Sequence, residues 1–179
     1  YTSGRASNEA AFLYQLFVRA YGTNNFPDCS NMCHEASGVA LKQSIGVGKG
    51  TVTLDDFDHA DAIFVFGQNP GTNHPRMLDT LRSASLRGAN IVTFNTLKER
   101  GLQKFTNPQA MDEMLTGGGT KITHHYFTPK LGGDMAVVRG MVKALLQSEK
   151  TVPGSVFDQR FIEDHTLGLE AYLDKVEHT

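Results

Sequence analysis

Cys33 followed directly by His34 joins a soft metal ligand and nucleophile to a proton carrier. The apolar pattern predicts a helix beginning at the next residue, Glu35. The positive end of a helix favours a thiolate over a thiol. Such a pair suits metal ligation or covalent catalysis, although a Cys beside a His is more often structural, and adjacent side chains need not point the same way. Cys29 completes a CxxxC spacing, which differs from the CxxC of a redox or zinc motif. His124-His125 lacks the four-residue offset that puts two histidines on one helix face, and reads as structural.

A second group of residues follows apolar strand candidates. In an open parallel sheet, ligands sit beyond the carboxyl ends of the strands. Three segments leave strands here: Gly67 to His74, Asn95 to Arg100, and Thr128 to Asp134. Gly lets a backbone approach a phosphate closely, and a following helix offers free N–H groups to an anion. Gly67-Gln68-Asn69-Pro70-Gly71-Thr72-Asn73-His74-Pro75 is the best of the three, and it reads equally well as an ordinary turn into a helix. Asn95 stands where a dinucleotide-binding fold places an acidic residue against a ribose. Lys98 and Arg100 suit phosphates or solvent. Neither GxGxxG after the first strand nor GxxxxGK[ST] is present, so an ordinary dinucleotide or P-loop site is not indicated.

The elements that must position these residues alternate. Ser7 caps a helix whose inner face is Leu13, Leu16, Phe17, Ala20 and Tyr21, ended by Gly22. Residues 23–32 read as loop, Glu35 to Ile45 as a second helix, and Asp55 to Asp61 as a short helical approach. Ala62 to Phe66 is a continuous apolar run, as in a parallel strand covered on both faces. A helix with Met77, Leu78, Leu81, Ala84 and Ser85 inward and Gly88 as its cap leads to a strand over Ala89 to Phe94. Strand, helix and strand within about 30 residues make a βαβ unit with a right-handed crossover. Residues 95–119 are polar, with a turn or two of helix at Gln109 to Leu115. Lys121 to Phe127 is a third strand, and Gly132-Gly133-Asp134 opens a helix from Met135 to Leu146. Two terminal helices cover Phe157 to Glu163 and Leu167 to Val176.

Composition limits the classes. At 179 residues and 40% apolar, the chain is long enough for one α/β domain, 1–179, with its own core. A formal charge of -2 does not favour nucleic acid or an anionic membrane. The longest apolar run has five residues against the roughly 20 a membrane span needs. Two cysteines and no leader-like start indicate a reducing, cytoplasmic setting. The missing initiator Met indicates a piece of a longer chain.

Four segments in register resemble the molybdopterin-dependent oxidoreductases of the formate dehydrogenase alpha subunit-like branch. Asn31-Met32-Cys33-His34-Glu35-Ala36-Ser37-Gly38-Val39-Ala40-Leu41 is similar to that family's active-site segment, and Ser3-Gly4-Arg5-Ala6-Ser7-Asn8-Glu9 to its lead-in helix. Phe64 to Pro75 resembles a nucleotide-binding strand and loop, and Leu131 to Ala136 a later loop and helix. The resemblance implies a Rossmann-like three-layer sandwich with a mainly parallel sheet, binding a molybdenum bis(molybdopterin guanine dinucleotide) cofactor. It implies two-electron oxidation of formate or another small substrate. By the same resemblance Cys33 is the molybdenum ligand and His34 handles the substrate proton. Gln68, Asn69, Asn73, His74, Asn95, Lys98, Gly132, Gly133 and Asp134 contact a guanine dinucleotide.

Two segments depart from the family pattern: Asn95 stands where members often carry Asp, and Glu35-Ala36-Ser37 replaces Gly-Pro-Ser. The partners implied are the remaining domains of the same enzyme, a small substrate and an electron-transfer subunit. An iron–sulfur cluster would come only from regions outside these residues, and the fragment alone is expected to be inactive. Two competing readings are a non-catalytic nucleotide-binding module and a thiol hydrolase using Cys33. The latter has no local oxyanion-hole or base signature.

Overall fold

A computed structural model describes residues 4–27 and 29–178; Ser3 of the lead-in segment and Asp28 of the expected loop lie outside the described residues. The chain divides into two compact units, residues 1–53 and 54–179.

The first unit is helical. Helix α1 (Asn8–Ala20) starts where expected, with the Ser7 hydroxyl accepting from the Ala10 N–H at 3.2 Å. It ends at a left-handed Gly22. The expected loop over 23–32 closes earlier than polarity suggested, because Cys29–Cys33 forms a short helix, α2. Helix α3 (Glu35–Ile45) matches its sequence bounds and stops at Gly46, whose φ of 81° a residue with a Cβ rarely adopts. Among the described residues of this unit only Val18 is buried, while Phe12, Leu13, Leu16 and Phe17 are exposed.

The second unit is mixed α/β around a small parallel sheet. A one-turn helix, α4 (Asp56–His59), leads into β1 (Ala62–Phe66). A further turn, α5 (Pro70–Asn73), and helix α6 (Met77–Arg87) lead to β2 (Asn90–Phe94). There follow α7 (Arg100–Gln103), β3 (Lys104–Phe105), α8 (Met111–Thr116), β4 (Thr120–Lys121) and β5 (His125–Phe127). Helices α9 (Asp134–Thr151), α10 (Gln159–His165) and α11 (Leu169–Glu177) close the unit. The sheet order is β1-β2-β5, all parallel, with Ala62 beside Asn90 and Val92 beside His125; β3 and β4 form a separate antiparallel pair.

One face of the parallel sheet carries the core. Ile63, Val65 and Ile91 pack with Leu81 and Ala84 of α6 and with Leu102 and Ile122. The opposite face is a row of phenylalanines. Phe66 and Phe94 stack at 4.6 Å between ring centroids, and Phe94 and Phe127 at 5.3 Å. That face is only partly covered: Phe64 is 54% and Phe66 37% exposed. The apolar run Ala62–Phe66 implied burial on both faces, but in this unit one face is packed and the other is left partly open.

The strand expected over Lys121 to Phe127 splits in two. Ile122 and Thr123, adjacent in sequence, are both buried, which breaks the two-residue period of a regular strand. Their N–H groups donate to Gln103 and Leu102, whereas the His124 N–H donates to Ile91. The chain thus passes from the small sheet to the large one across these residues. His124 is structural: its Nδ1 accepts from the Ile91 N–H at 3.1 Å. No helix among the described residues is long and apolar enough to cross a membrane.

Candidate functional site

The three loops proposed from sequence do leave the carboxyl ends of β1, β2 and β5. In the first, Gly67 takes φ 62° and donates its N–H to the Phe94 carbonyl. Asn69 then caps α5, its Oδ1 accepting from the Thr72 N–H at 3.3 Å. Its Nδ2 donates to Glu99 Oε2 at 2.9 Å. Both ends of the Asn69 side chain therefore hold the loop in shape, and the amide keeps a second N–H and a second lone pair for a ligand.

The second loop is tied to the first and to β5. Asn95 donates from Nδ2 to the Gln68 carbonyl at 3.1 Å, and its backbone N–H donates to the Phe127 carbonyl. Beyond it, the Tyr126 hydroxyl donates to the Leu97 carbonyl at 2.7 Å and accepts from the Glu99 N–H at 3.0 Å. Glu99 thus links the two loops, through its backbone to β5 and through its carboxylate to Asn69. The backbones meet where side chains are smallest. A Cβ on Gly101 would lie 3.0 Å from the Gly71 Cα, and one on Gly71 would lie 3.3 Å from the Gly101 Cα. In the third loop, Gly132 has φ 80° and the Gly133 N–H donates to the Lys130 carbonyl at 2.8 Å, placing Asp134 at the first turn of α9.

Concave surfaces flank these loops. A groove of about 1030 Å³ is lined by Gln68, His74, Arg76 and Asp79 among others. A smaller one of about 380 Å³ includes Asn69, Glu99, Arg100 and Lys104. Asp134 lines a third with Phe66 and Tyr172. The structure thus joins Gln68 and Asn95 by a direct hydrogen bond, ties Asn69 to Glu99 by another, and puts His74 in the groove with Gln68. Asn73 ends α5, Lys98 lies exposed in the second loop, and Gly132 and Gly133 stay with the third. The chemistry available is hydrogen bonding and anion binding by loop backbones, with Lys98, Arg100 and Lys104 as cations.

Cys33 and His34 lie in the helical unit. Cys33 is the last residue of α2 and is exposed as a free thiol. His34 is the N-cap residue of α3 and makes no side-chain capping bond. The two side chains are accessible for ligation and proton transfer. Cys29 is half-buried, and a Cβ on Gly4 would meet its Sγ at 2.8 Å, so Cys29 packs against backbone. Among the described residues, no three His, Cys, Asp or Glu side chains gather as a protein-only metal site. A single exposed cysteine side chain fits a metal whose other ligands come from a cofactor.

Sequence reasoning missed Glu99 and Tyr126, which sat among charges and in a weak strand with no local signature. It also missed a carboxylate cluster elsewhere in the unit. Glu113 accepts from the Asn107 N–H, the Thr120 hydroxyl and Arg82, and these donors hold its carboxyl below the usual range.

No family model matches the chain. Among known proteins, it is 53% identical over 174 residues to Protein YdeP of Escherichia coli, covering 95% of this chain and 23% of that protein. An uncharacterized oxidoreductase of Mycobacterium tuberculosis is 55% identical over 172 residues, 96% of this chain and 22% of the relative. The chain is homologous to one segment of each of these two proteins. Formate dehydrogenase H of Escherichia coli matches at 27% over 177 residues, 98% of this chain and 21% of that enzyme. The homology runs through both units, so it includes Cys33-His34 and all three strand-end loops. The chain spans less than a quarter of the length of each of these three relatives.

Proposed function

We propose that these residues form a cofactor-binding part of a molybdenum-dependent oxidoreductase related to formate dehydrogenase. The observation that carries the reading is the homology over 96% of the chain to an uncharacterized oxidoreductase and, at lower identity, over 98% to formate dehydrogenase H. On this reading residues 1–179 make up a single domain for molybdopterin guanine dinucleotide, and the three-stranded sheet is part of a Rossmann-like three-layer sandwich. Cys33 ligates molybdenum, and His34 takes up or returns the substrate proton.

Gln68, Asn69, Asn73, His74, Asn95, Lys98, Gly132, Gly133 and Asp134 contact a guanine dinucleotide, and Asn69 also holds the first loop in shape. The loops offer backbone N–H groups and cations to a pyrophosphate, and polar side chains to a ribose and base. When bound, the bis(molybdopterin guanine dinucleotide) centre supplies two-electron oxidation of formate or another small substrate. Electrons leave through another part of the protein or an electron-transfer subunit, and the setting is cytoplasmic.

Metal and pterin analysis of the full-length protein, beside a Cys33→Ser variant, tests the proposal. Molybdenum and pterin in the wild type, with activity lost and cofactor retained in the variant, is the expected result. Guanine nucleotide binding without metal, unaffected by the substitution, would instead identify a non-catalytic nucleotide-binding module.

A further inference from the structure

Glycine weakens a helix interior, yet Gly38 stands inside α3. The loop that follows the helix supplies the reason. A Cβ on Gly48 would lie 3.2 Å from the Gly38 carbonyl oxygen, and one on Gly38 would lie 3.5 Å from the Gly48 oxygen. Two backbones meet there, with no room to spare for a side chain on Gly48. The chain reverses at left-handed Gly46 and reaches this contact three residues after Ile45. From Ile45 back to Gly38 the helix spans about 10 Å. Three residues extend to at most about 11 Å. Residues 46–48 therefore run back along α3 in extended form, toward its N-terminal end.

That end holds Cys33 and His34. The Gly38 N–H donates to the His34 carbonyl at 2.9 Å, so the contact lies four residues, about 6 Å, from His34 along the helix. Lys49 follows Gly48, one extended residue of about 3.3 Å further on. Its four-carbon stem covers what remains to His34 and Cys33. Lys49 is exposed, and among the described residues it makes no hydrogen bond or ion pair. A Cβ on Gly50 would meet nothing within 4 Å, so the loop is packed at Gly48 and open beyond it. The sequence Gly46-Val47-Gly48-Lys49-Gly50 is no P-loop, but its fold-back gives the thiol a cationic neighbour.

We propose that Lys49 is a specificity-determining residue of the Cys33–His34 site. The Gly46–Gly50 loop forms a wall of that site, and the Lys49 ammonium meets the negative end of a small anionic substrate beside Cys33. Gly38 and Gly48 are positioning residues, since their contact sets where the loop runs. The substrate role rests on the molybdenum reading above; the placement of Lys49 beside Cys33 does not.

Alkylation of Cys33 in the full-length protein, prepared without cofactor, tests both parts. Iodoacetate is negative and iodoacetamide neutral, so a cation near the sulfur favours the first. A change in the thiol itself moves both rates alike, and Glu35 is common to every variant. Lys49→Met is expected to lower the iodoacetate-to-iodoacetamide rate ratio about fivefold, and Lys49→Arg to keep it within about twofold of the wild type. Lys42→Met, further down α3, should leave it unchanged. Residues 20–42 form one tryptic peptide, whose fragment masses separate Cys33 from Cys29. A ratio that ignores Lys49, or that falls equally in Lys42→Met, would overturn the placement. Sodium formate, against sodium chloride at equal ionic strength, is expected to slow iodoacetate in the wild type and not in Lys49→Met. Equal rates in the two salts would overturn the substrate role. Molybdenum and pterin present with a ratio indifferent to Lys49 would sink this proposal and leave the molybdenum reading standing.

Discussion

Replacing Tyr126 with Phe removes one oxygen and keeps the ring. That oxygen donates to the Leu97 carbonyl at 2.7 Å and accepts from the Glu99 N–H at 3.0 Å. Tyr126 is half-buried and packed against the core, so the ring keeps its contacts and the two backbone groups lose their partner. At about 0.5–1.5 kcal/mol net for each hydrogen bond, losing one exposed and one part-buried bond costs about 1–3 kcal/mol. At roughly 4 °C per kcal/mol for a unit of this size, Tm should fall by about 4–12 °C. Thermal unfolding followed by circular dichroism measures this. The effect should reach the first loop, because Glu99 is also the partner of Asn69. A double-mutant cycle of Tyr126→Phe with Glu99→Ala should give a coupling of about 0.5–3 kcal/mol. A Tm change below about 1 °C, or strict additivity, would refute the idea that Tyr126 and Glu99 act together to hold these loops.

Three other outcomes are expected. Gly101→Ala drives a methyl group against the Gly71 backbone and should cost about 1–3 kcal/mol in denaturant unfolding. Glu149 accepts from the N–H groups of Gly154, Val156 and Phe157, which hold its carboxyl below the usual range. A lowered folded-state value means the stabilisation is present near neutrality and lost as pH falls below roughly 4.3, the ordinary glutamate value. Acid titration of stability should therefore show a shallower fall in Glu149→Gln than in the wild type. Cys33→Ser, at an exposed position, should leave unfolding free energy unchanged within about 0.5 kcal/mol, so any activity loss in the full-length protein reports chemistry rather than folding.

Where local chemistry decided the structure, the sequence was easily read. Ser7, Gly46 and Gly88 terminate helices at the positions their capping chemistry requires. The apolar runs Ala62–Phe66 and Ala89–Phe94 read as strands, and the second begins one residue later, at Asn90. What escaped notice depends on partners distant in the chain. Glu99 meets Asn69 across 30 residues, and Gly71 meets Gly101 across a similar gap. The division of residues 120–127 between two sheets is fixed by Gln103, Leu102 and Ile91, which accept from it. Cys33 and the three strand-end loops were legible as candidates because their residue types suggest chemistry. Glu99 looked like one charge among Lys98 and Arg100.

The partly open phenylalanine face has a consequence during synthesis. Ala62-Ile63-Phe64-Val65-Phe66 is uncharged, rich in strand formers and free of proline, the composition that nucleates cross-β assembly when exposed. While this strand waits on the ribosome for its neighbours, it can pair with the same strand of another nascent chain. The acidic stretch just before it, Asp55, Asp56, Asp58 and Asp61, places four negative charges at its entrance. Stacking copies in register would bring those charges together, so the approach to the strand also serves as its gatekeeper.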